Sequence, residues 1–404
     1  TGSDVEEEFV TDETLKKRGI GWRIGFRHDN LDIKPDLVVT TGAHGGLNNP
    51  EVLVAKELGI PVMTHEEALA AMTAGKEVIA VCGVGGKSTT SAMIATIFDT
   101  AGLNPSFAIG VGDIPSLGAP GRYDRAGRVF IVEADEYAVS PGVDNSPKFL
   151  HFNPRVIVVT NIEYDHPDIY PSIKETKDAF KKFFEKVPSD GILIVNETDQ
   201  NIKDVIGELN VPVKSYKVGS FNLNVPGEFN QLNAAAAAAA ARFYGISEQH
   251  IKEGLKKFFG TKRRFEKVKE KDGVIFIDDY AHMPNEIKVA LRAVKETHPG
   301  KRIVAVFQPH TYSRTKALFS EFAKSFKNAD IVVIADIYAS ARELKDESVS
   351  SEILAEAIST YNEDTQYTGN HQSTAKWINE NVRNGDVVIT MGAGDIFKLY
   401  EYIK

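Results

Sequence analysis

Residues 78–93, VIAVCGVGGKSTTSAM, force one local architecture. An apolar run, Val78–Cys82, meets a turn holding Gly83, Gly85 and Gly86. Lys87-Ser88-Thr89 follow, and a helical pattern continues through Phe98. In order this is strand, loop, helix. Glycines let backbone N–H groups curl around an anion, and the start of the next helix adds its positive dipole end. In such a loop Lys87 reaches the outer phosphates of a nucleotide, and Ser88 or Thr89 holds Mg²⁺. The general phosphate-loop pattern GxxxxGK[ST] would need glycine at position 81, where the chain has Val81. The loop is the shorter string G-V-G-G-K-S-T, and an ordinary glycine turn is the alternative reading.

A chain of 404 residues has room for two or three domains with real cores. Its 42% hydrophobic and 25% charged residues are ordinary for a globular protein. A net charge of −9 and a pI near 5.7 give no basic tail or stripe for nucleic acid. Anionic substrates must then be held by local Lys, Arg and helix ends. A single cysteine, Cys82, excludes an internal disulfide and a cysteine metal cluster. It reads as strand packing. No apolar run reaches about 18 residues, and no signal peptide is visible, so a cytoplasmic enzyme without membrane partners is the expectation.

The pattern along the chain is α/β throughout. In residues 1–75 the expected strands are Leu37–Thr40 and Ile60–Met63, and the expected helices Pro50–Leu58 and His65–Ala74. The opening T-G-S-D reads as the end of a strand, with a preceding strand and turn expected but not in the sequence. Residues 76–260 alternate strands (Val78–Val81, Val129–Val132, Val156–Thr160, Ile192–Val195) with helices such as Ile173–Glu185, the pattern of a parallel sheet. Eight alanines, Ala234–Ala241, read as a tightly packed core helix. Residues 261–404 repeat the alternation, with strands at Val274–Ile277, Ile303–Phe307, Ile331–Ala335 and Val387–Thr390 and helices at Glu286–Lys295 and Leu318–Phe326. The charged run Lys262–Lys271 reads as a solvated linker at the boundary. The expected architecture is three domains: a partial Rossmann-like N-terminal domain, a central phosphate-loop domain with a parallel sheet, and a C-terminal Rossmann-like domain.

Four clusters lie at strand ends, where open α/β sheets bind ligands. Glu133-Ala-Asp135-Glu136-Tyr137 offers three carboxylates, which suits Mg²⁺ and equally a solvated acidic loop. Thr160-Asn161-Ile-Glu163-Tyr-Asp165-His166 supplies a histidine that is either a metal ligand or a phosphate contact. Gly227-Glu-Phe-Asn230-Gln-Leu-Asn233 precedes the alanines; its asparagines either read an adenine edge or cap the helix. Finally, Asp278-Asp279-Tyr280-Ala-His282 and Gln308-Pro-His310-Thr-Tyr312-Ser-Arg314 end two strands of the last domain and read as one small-molecule pocket. A dehydrogenase is excluded, because no GxGxxG follows a strand with an acidic residue about twenty positions on.

Together these strings resemble the Mur ligase family. GVGGKST looks like its GTxGK[ST] loop, and EADE, TNIEYDH, GEFNQLNAA, KRRFE and DDYAHMPNE appear in the family's order. The resemblance spans the chain. It implies an ATP-dependent, ADP-forming ligase of peptidoglycan synthesis that activates the carboxylate of UDP-N-acetylmuramate as an acyl phosphate and joins L-alanine to it. It divides the chain into a UDP-sugar domain (1–75), an ATP domain (76–260) and an amino-acid domain (261–404). It implies that Lys87 stabilises the moving phosphoryl group, that Gly83, Gly85, Gly86, Ser88 and Thr89 cradle ATP, and that Ser88, Glu133 and His166 hold Mg²⁺. It also implies that Asn230 and Asn233 contact adenine, Asp279 the ribose and Arg264 the phosphates. Tyr280, His282, His310 and Arg314 would line the amino-acid pocket. The implied assembly is a monomer or homodimer, and the split of the site implies domain closure.

The chain departs from the family at several positions. Gly85, Met283 and Phe229 stand where histidines are usual in the alanine-adding members, and Thr311 stands where they carry Arg. The segment after EADE is long, and EADEY…PKFLHF resembles the family members that add a recycled peptide to the same sugar nucleotide. The glycine-rich turn for the uridine diphosphate is not found within residues 1–404. A peptide-adding ligase and a nucleotide-binding protein without ligase activity are therefore the alternatives.

Overall fold

Two large sheets, each almost wholly parallel, carry the chain in a computed structural model that describes residues 1–7, 9–339 and 343–403. Contacts divide it into a first unit, Thr1–Leu223 with Gln231–Phe259, and a second, Asn224–Asn230 with Gly260–Lys404.

The first unit opens with two short parallel pairs. β1 (Gly2–Asp4) lies beside β2 (Trp22–Ile24), and β3 (Val38–Thr40) beside β4 (Val62–Thr64). Helix Pro50–Glu57 starts where Asn49 caps the Glu51 N–H. Helix His65–Met72 starts at a capping box between Thr64 and Glu67. The Glu51 carboxylate takes the Arg27 N–H at 2.9 Å and also bonds Ser3 and Asn30, tying β1 to the first of these helices.

The main sheet of this unit holds β5 (Glu77–Cys82), β6 (Ser106–Ala108), β7 (Gly121–Arg122), β8 (Val129–Glu133), β11 (Val156–Val159), β12 (Ile192–Asn196) and β13 (Val213–Tyr216), in the order β13-β12-β11-β5-β8-β6-β7. Between β8 and β11 in the chain, β9 (Ala138–Ser140) and β10 (Asp144–Pro147) form a hairpin. Only β7 runs antiparallel within the main sheet. Central strands of such a sheet are covered on both faces, which is why β5 and β11 are apolar runs rather than alternating ones. The eight alanines of helix Glu228–Phe243 are all buried.

The second unit holds β14 (Glu266–Lys271), β15 (Val274–Asp279), β16 (Ile303–Phe307), β17 (Ile331–Ala335), β18 (Thr365–Gly369) and β19 (Val387–Met391) in the order β14-β15-β19-β16-β17-β18. Apolar clusters centred on Leu291, Phe307, Phe322 and Leu354 and on Val306, Ala375 and Ile396 pack against this sheet.

Two sequence expectations change here. The charged run is not a linker over most of its length: Glu266–Lys271 is an antiparallel edge strand on β15. Its charges sit on an edge strand, with Lys267 and Glu270 paired to each other at 2.7 Å, where they hinder pairing with a further chain. The helix expected over Leu318–Phe326 is shorter, Phe319–Ala323, and a separate short helix, Tyr312–Ala317, precedes it. Leu318 breaks them at φ −111°, where it and Phe319 pack on the core. The long segment after EADE is the β9–β10 hairpin, whose Ser140 hydroxyl accepts the Leu47 N–H at 3.2 Å. Among the described helices none is long and apolar enough to cross a membrane.

Candidate active site

In the first unit β5 runs into the glycine loop and helix Lys87–Thr100 leaves it. The first N–H groups of a helix have no intrahelical acceptor and face whatever sits at its start. Asn161, at the end of β11, fixes the loop: its Oδ1 accepts the Val84 and Gly85 N–H groups at 2.8 and 2.9 Å, and its Nδ2 donates to the Gly85 carbonyl at 3.3 Å. Gly83 has φ +129° and Gly86 φ +82°. A Cβ at Gly83 would overlap Thr160 Oγ1 and lie 2.8–2.9 Å from the Asn161 backbone, while one at Gly86 would lie 2.7 Å from Asn233 Oδ1. Both neighbours of Gly83 are fixed by strand β11, so Gly83→Ala must displace the loop. We expect it to weaken nucleotide binding at least about tenfold and to cost about 2 kcal/mol or more of stability. Calorimetric titration with ATP and a melting curve check this, and wild-type affinity would remove the steric argument.

Beyond the loop stands an acidic cluster. Lys87 Nζ lies 2.9 Å from Glu136 Oε2 and 3.6 Å from Asp135 Oδ1. Burial opposes the Lys87 charge, but the carboxylates of Glu136, Asp135 and Glu133 outweigh it and push its pKa well up. Lys87 is therefore an ammonium at any working pH. Ser88 Oγ donates to Glu133 Oε1 at 2.9 Å, and Glu133 Oε2 accepts the Gly110 N–H at 2.8 Å. His166 has φ +57° and its Nε2 lies 3.5 Å from both Glu136 Oε1 and Asp165 Oδ2. Left-handed backbone at a bulky residue is costly and persists only where the surroundings impose it. Here Asp165 Oδ1 accepts the His166 N–H at 2.6 Å, and the His166 carbonyl accepts the Ile169 and Tyr170 N–H groups. Asp135, Glu136 and His166 each bring one ligand atom within 4.8 Å of the others.

Sequence reasoning grouped Ser88, Glu133 and His166. The structure pairs Ser88 with Glu133, and pairs His166 with Glu136 and Asp165, with Asp135 nearby. Lys148 follows the β9–β10 hairpin and brings a second ammonium to 3.5 Å from Asp135 and 3.6 Å from Glu66.

The second unit gathers the other cluster. Asp279 accepts the Phe265 N–H at 2.7 Å and the Ala281 N–H at 2.8 Å, and burial raises its pKa to about 6. Each of its oxygens keeps one lone pair. The Arg264 guanidinium stands 4.8 Å over the Tyr280 ring. Arg263, beside it, is buried: it donates to Asp278 at 2.9 Å and to the carbonyls of Gly394 and Gly392 at 2.8 and 2.6 Å. His282 Nδ1 meets the Tyr280 carbonyl at 3.0 Å, which fixes the proton on Nδ1. Arg314 donates to His310 Nδ1 at 2.9 Å; a guanidinium cannot accept, so His310 carries its proton on Nε2. The His282 and His310 rings lie 6.3 Å apart, and Tyr338 stacks on His310 at 5.6 Å. Tyr280, His282, His310 and Arg314 are thus brought together.

Asn230, in residues grouped with this unit, donates to the Pro226 carbonyl at 2.6 Å, whereas Asn233 belongs to the first unit. Met283 is buried in the core at the start of helix Pro284–Thr297, so an imidazole's task is not performed from that position.

Several residues with evident tasks escaped the sequence reading: Asn161 as loop clamp, Glu136 and Asp135 as partners of Lys87 and His166, and Tyr338 as the stack on His310. Only the carboxylates and Asn161 carried a signal, since they stand in strings already singled out. Tyr338 stands in no such string. Gly394 has a steric reason of its own: a Cβ there would lie 2.6 Å from both Gln308 Oε1 and Tyr338 Cγ.

A glycine loop between a parallel strand and a helix, with a buried lysine and carboxylates at the neighbouring strand end, defines a nucleotide phosphate-binding α/β protein. Residues 1–77 match the family description "Mur ligase family, catalytic domain", residues 81–220 the Mur ligase middle domain, and residues 263–394 the glutamate ligase domain of Mur ligases. The chain belongs to the Mur ligase family of ATP-dependent ligases. It is 36% identical to the UDP-N-acetylmuramate–L-alanine ligase of Desulfitobacterium hafniense over 99% of this chain and 92% of that one. To the Lachnospira eligens ligase of the same name it is 38% identical, over 99% and 91%. Among solved structures it is similar to the UDP-N-acetylmuramate-alanine ligase of Thermotoga maritima, with a TM-score of 0.78, 25% identity and coverage of 100% and 91%. A murein peptide ligase from Psychrobacter arcticus shares the fold, with a TM-score of 0.72 at 21% identity over 100% and 92%.

Proposed function

We propose that this chain is an ADP-forming carboxylate–amine ligase that joins L-alanine to UDP-N-acetylmuramate in peptidoglycan synthesis. The likeness over 99% of the chain to ligases of that name carries the reading. We divide the chain into a UDP-sugar domain (1–75), an ATP domain (76–260) and an amino-acid domain (261–404). The ATP it consumes makes the cytoplasm its expected compartment.

A carboxylate is a poor electrophile, so activation comes first. The γ-phosphoryl group of ATP passes to a carboxylate oxygen, giving ADP and an acyl phosphate. The amine nitrogen then attacks the carbonyl carbon, loses a proton, and phosphate leaves. Charge spreads over the moving phosphoryl oxygens, and catalysis is positioning plus cation stabilisation. We assign that stabilisation to Lys87, with the loop N–H groups of Gly83, Gly85, Gly86, Ser88 and Thr89 orienting the phosphates and Arg264 adding a second charge. Asn230 and Asn233 are assigned to adenine and Asp279 to the ribose. The donors of Ser88, Glu133 and the Asp135–Glu136–His166 group are mostly oxygen and suit a hard divalent ion. Bound there, Mg²⁺ would neutralise and orient phosphate oxygens. Tyr280, His282, His310 and Arg314 are assigned to the amino acid, with Arg314 meeting its carboxylate.

The experiment is phosphate release from ATP, Mg²⁺ and UDP-N-acetylmuramate with each amine in turn. Release that depends on L-alanine is expected; none with any amine would end the ligase reading. The β9–β10 hairpin and Thr311 favour a second reading, a peptide acceptor, which predicts release with a tripeptide instead. Thr311 also carries a direct prediction. It sits at φ 67°, costly for a β-branched side chain, and its N–H is held by the Tyr338 carbonyl at 2.9 Å. Thr311→Arg should lower the KM for L-alanine by about tenfold, the worth of one charge-assisted hydrogen bond. An unchanged KM would count against a pocket weakened at this position.

A further inference from the structure

His310 and Arg314 lie on a strained turn with a short helix behind it. Thr311 is in the left-handed half of backbone space, and helix Tyr312–Ala317 begins directly after it. Such a turn relaxes unless its surroundings hold it. One side chain from elsewhere in the chain does so. Glu343 Oε2 accepts the N–H groups of Tyr312 at 2.8 Å and Ser313 at 3.2 Å, and its Oε1 accepts the Ser313 hydroxyl. Three donors on two adjacent residues thus converge on one carboxylate, thirty-one and thirty positions away in sequence. Three residues on, Asp346 pairs with Lys316 at 3.0 Å and ties the same segment to the same helix. On the far side of the turn, Tyr338 holds it through the Thr311 N–H and the ring stacked on His310.

We infer that Glu343 is a positioning residue for the acceptor pocket: it fixes the turn so that Arg314 Nη1 meets His310 Nδ1 and both rest in one arrangement before the amine arrives. Glu343 touches neither residue, and it acts through the backbone of Tyr312 and Ser313. A pre-set pocket loses less freedom on binding, so the clamp shows in affinity for the amine. The inference rests on the assignment of His310 and Arg314 to the amino acid, and its test separates the two.

Glu343→Ala should raise the KM for the acceptor amine about tenfold, with kcat within about threefold and the KM for ATP unchanged. Glu343→Gln keeps one oxygen for the Tyr312 N–H and should restore most of the loss. A substrate-free readout runs beside the kinetics: the ring-nitrogen NMR signals of His310 report its contact with Arg314, and they should shift in Glu343→Ala and return in Glu343→Gln. Unmoved His310 signals with an unchanged amine KM would overturn the inference. A general rise in every KM, with a lowered Tm, would overturn it as well and leave Glu343 a structural residue only. If the wild-type chain turns over no amine while the His310 signals shift, the ligase reading falls and the clamp stands. Should Glu343→Ala not fold, Ser313→Ala removes one of the three donors and is read by the same two measurements.

Discussion

Lys87→Ala should lower kcat at least about a thousandfold, because it removes the one loop side chain that meets charge on the moving phosphoryl group. Phosphate release under saturating ATP measures it, and activity within tenfold of wild type would refute the loop assignment. The sequence alone predicts an intact fold for this variant. The structure adds a cost. Glu136 is only 2% exposed and its Oε2 rests on Lys87. Removing one partner of a buried pair leaves the other uncompensated, at about 3 kcal/mol or more. Glu136→Gln in the same chain should return much of that stability and none of the activity. The split tells a catalytic loss from an unfolding one: the double variant should melt near wild type and still release no phosphate.

Arg263→Met should be the most damaging single change in the second unit. The guanidinium satisfies Asp278 and the carbonyls of Gly392 and Gly394, and Asp278 in turn accepts the Thr390 hydroxyl at 2.6 Å. Methionine fills the space but leaves the buried carboxylate without its counter-charge and the two carbonyls without this donor. A loss of about 3–5 kcal/mol follows, or about 10 °C in Tm for a unit of this size. Calorimetry checks this, and a Tm within 2 °C of wild type would show water doing the work of the guanidinium. Arg263 and Arg264 are adjacent in KRRFE, yet only Arg263 makes these three bonds among the described contacts.

Much of this was legible in the sequence. Strands such as Val156–Val159 and Ile303–Phe307 are apolar runs bounded by polar turns, so burial on both faces was readable from composition alone. The site motifs were legible because phosphate loops and strand-end clusters are local in sequence. What escaped depended on distant partners. β14 looked like a linker because its charges hid an edge strand that only β15 reveals. Asn161 was in view, but the two N–H groups it accepts lie 77 and 76 positions back. The pairing of His166 with Glu136 rather than Glu133 depends on a left-handed residue that no pattern announces.

The order β14-β15-β19-β16-β17-β18 has a consequence for biosynthesis. The strand latest in the chain, β19, is the central plank between β15 and β16, bonded to one through Val387–Met391 and to the other over the same residues. On the ribosome, β15 and β16 emerge long before the strand that joins them. The nascent second unit must hold two unpaired apolar edges open until Met391 is free, a state exposed to mispairing and to chaperone capture. The first unit has a far shorter wait: β8 likewise enters between the earlier β5 and β6, but some 25 residues after β6, and β5, β8 and β11 are complete some 230 residues before β19, by about half a minute at ordinary translation speeds.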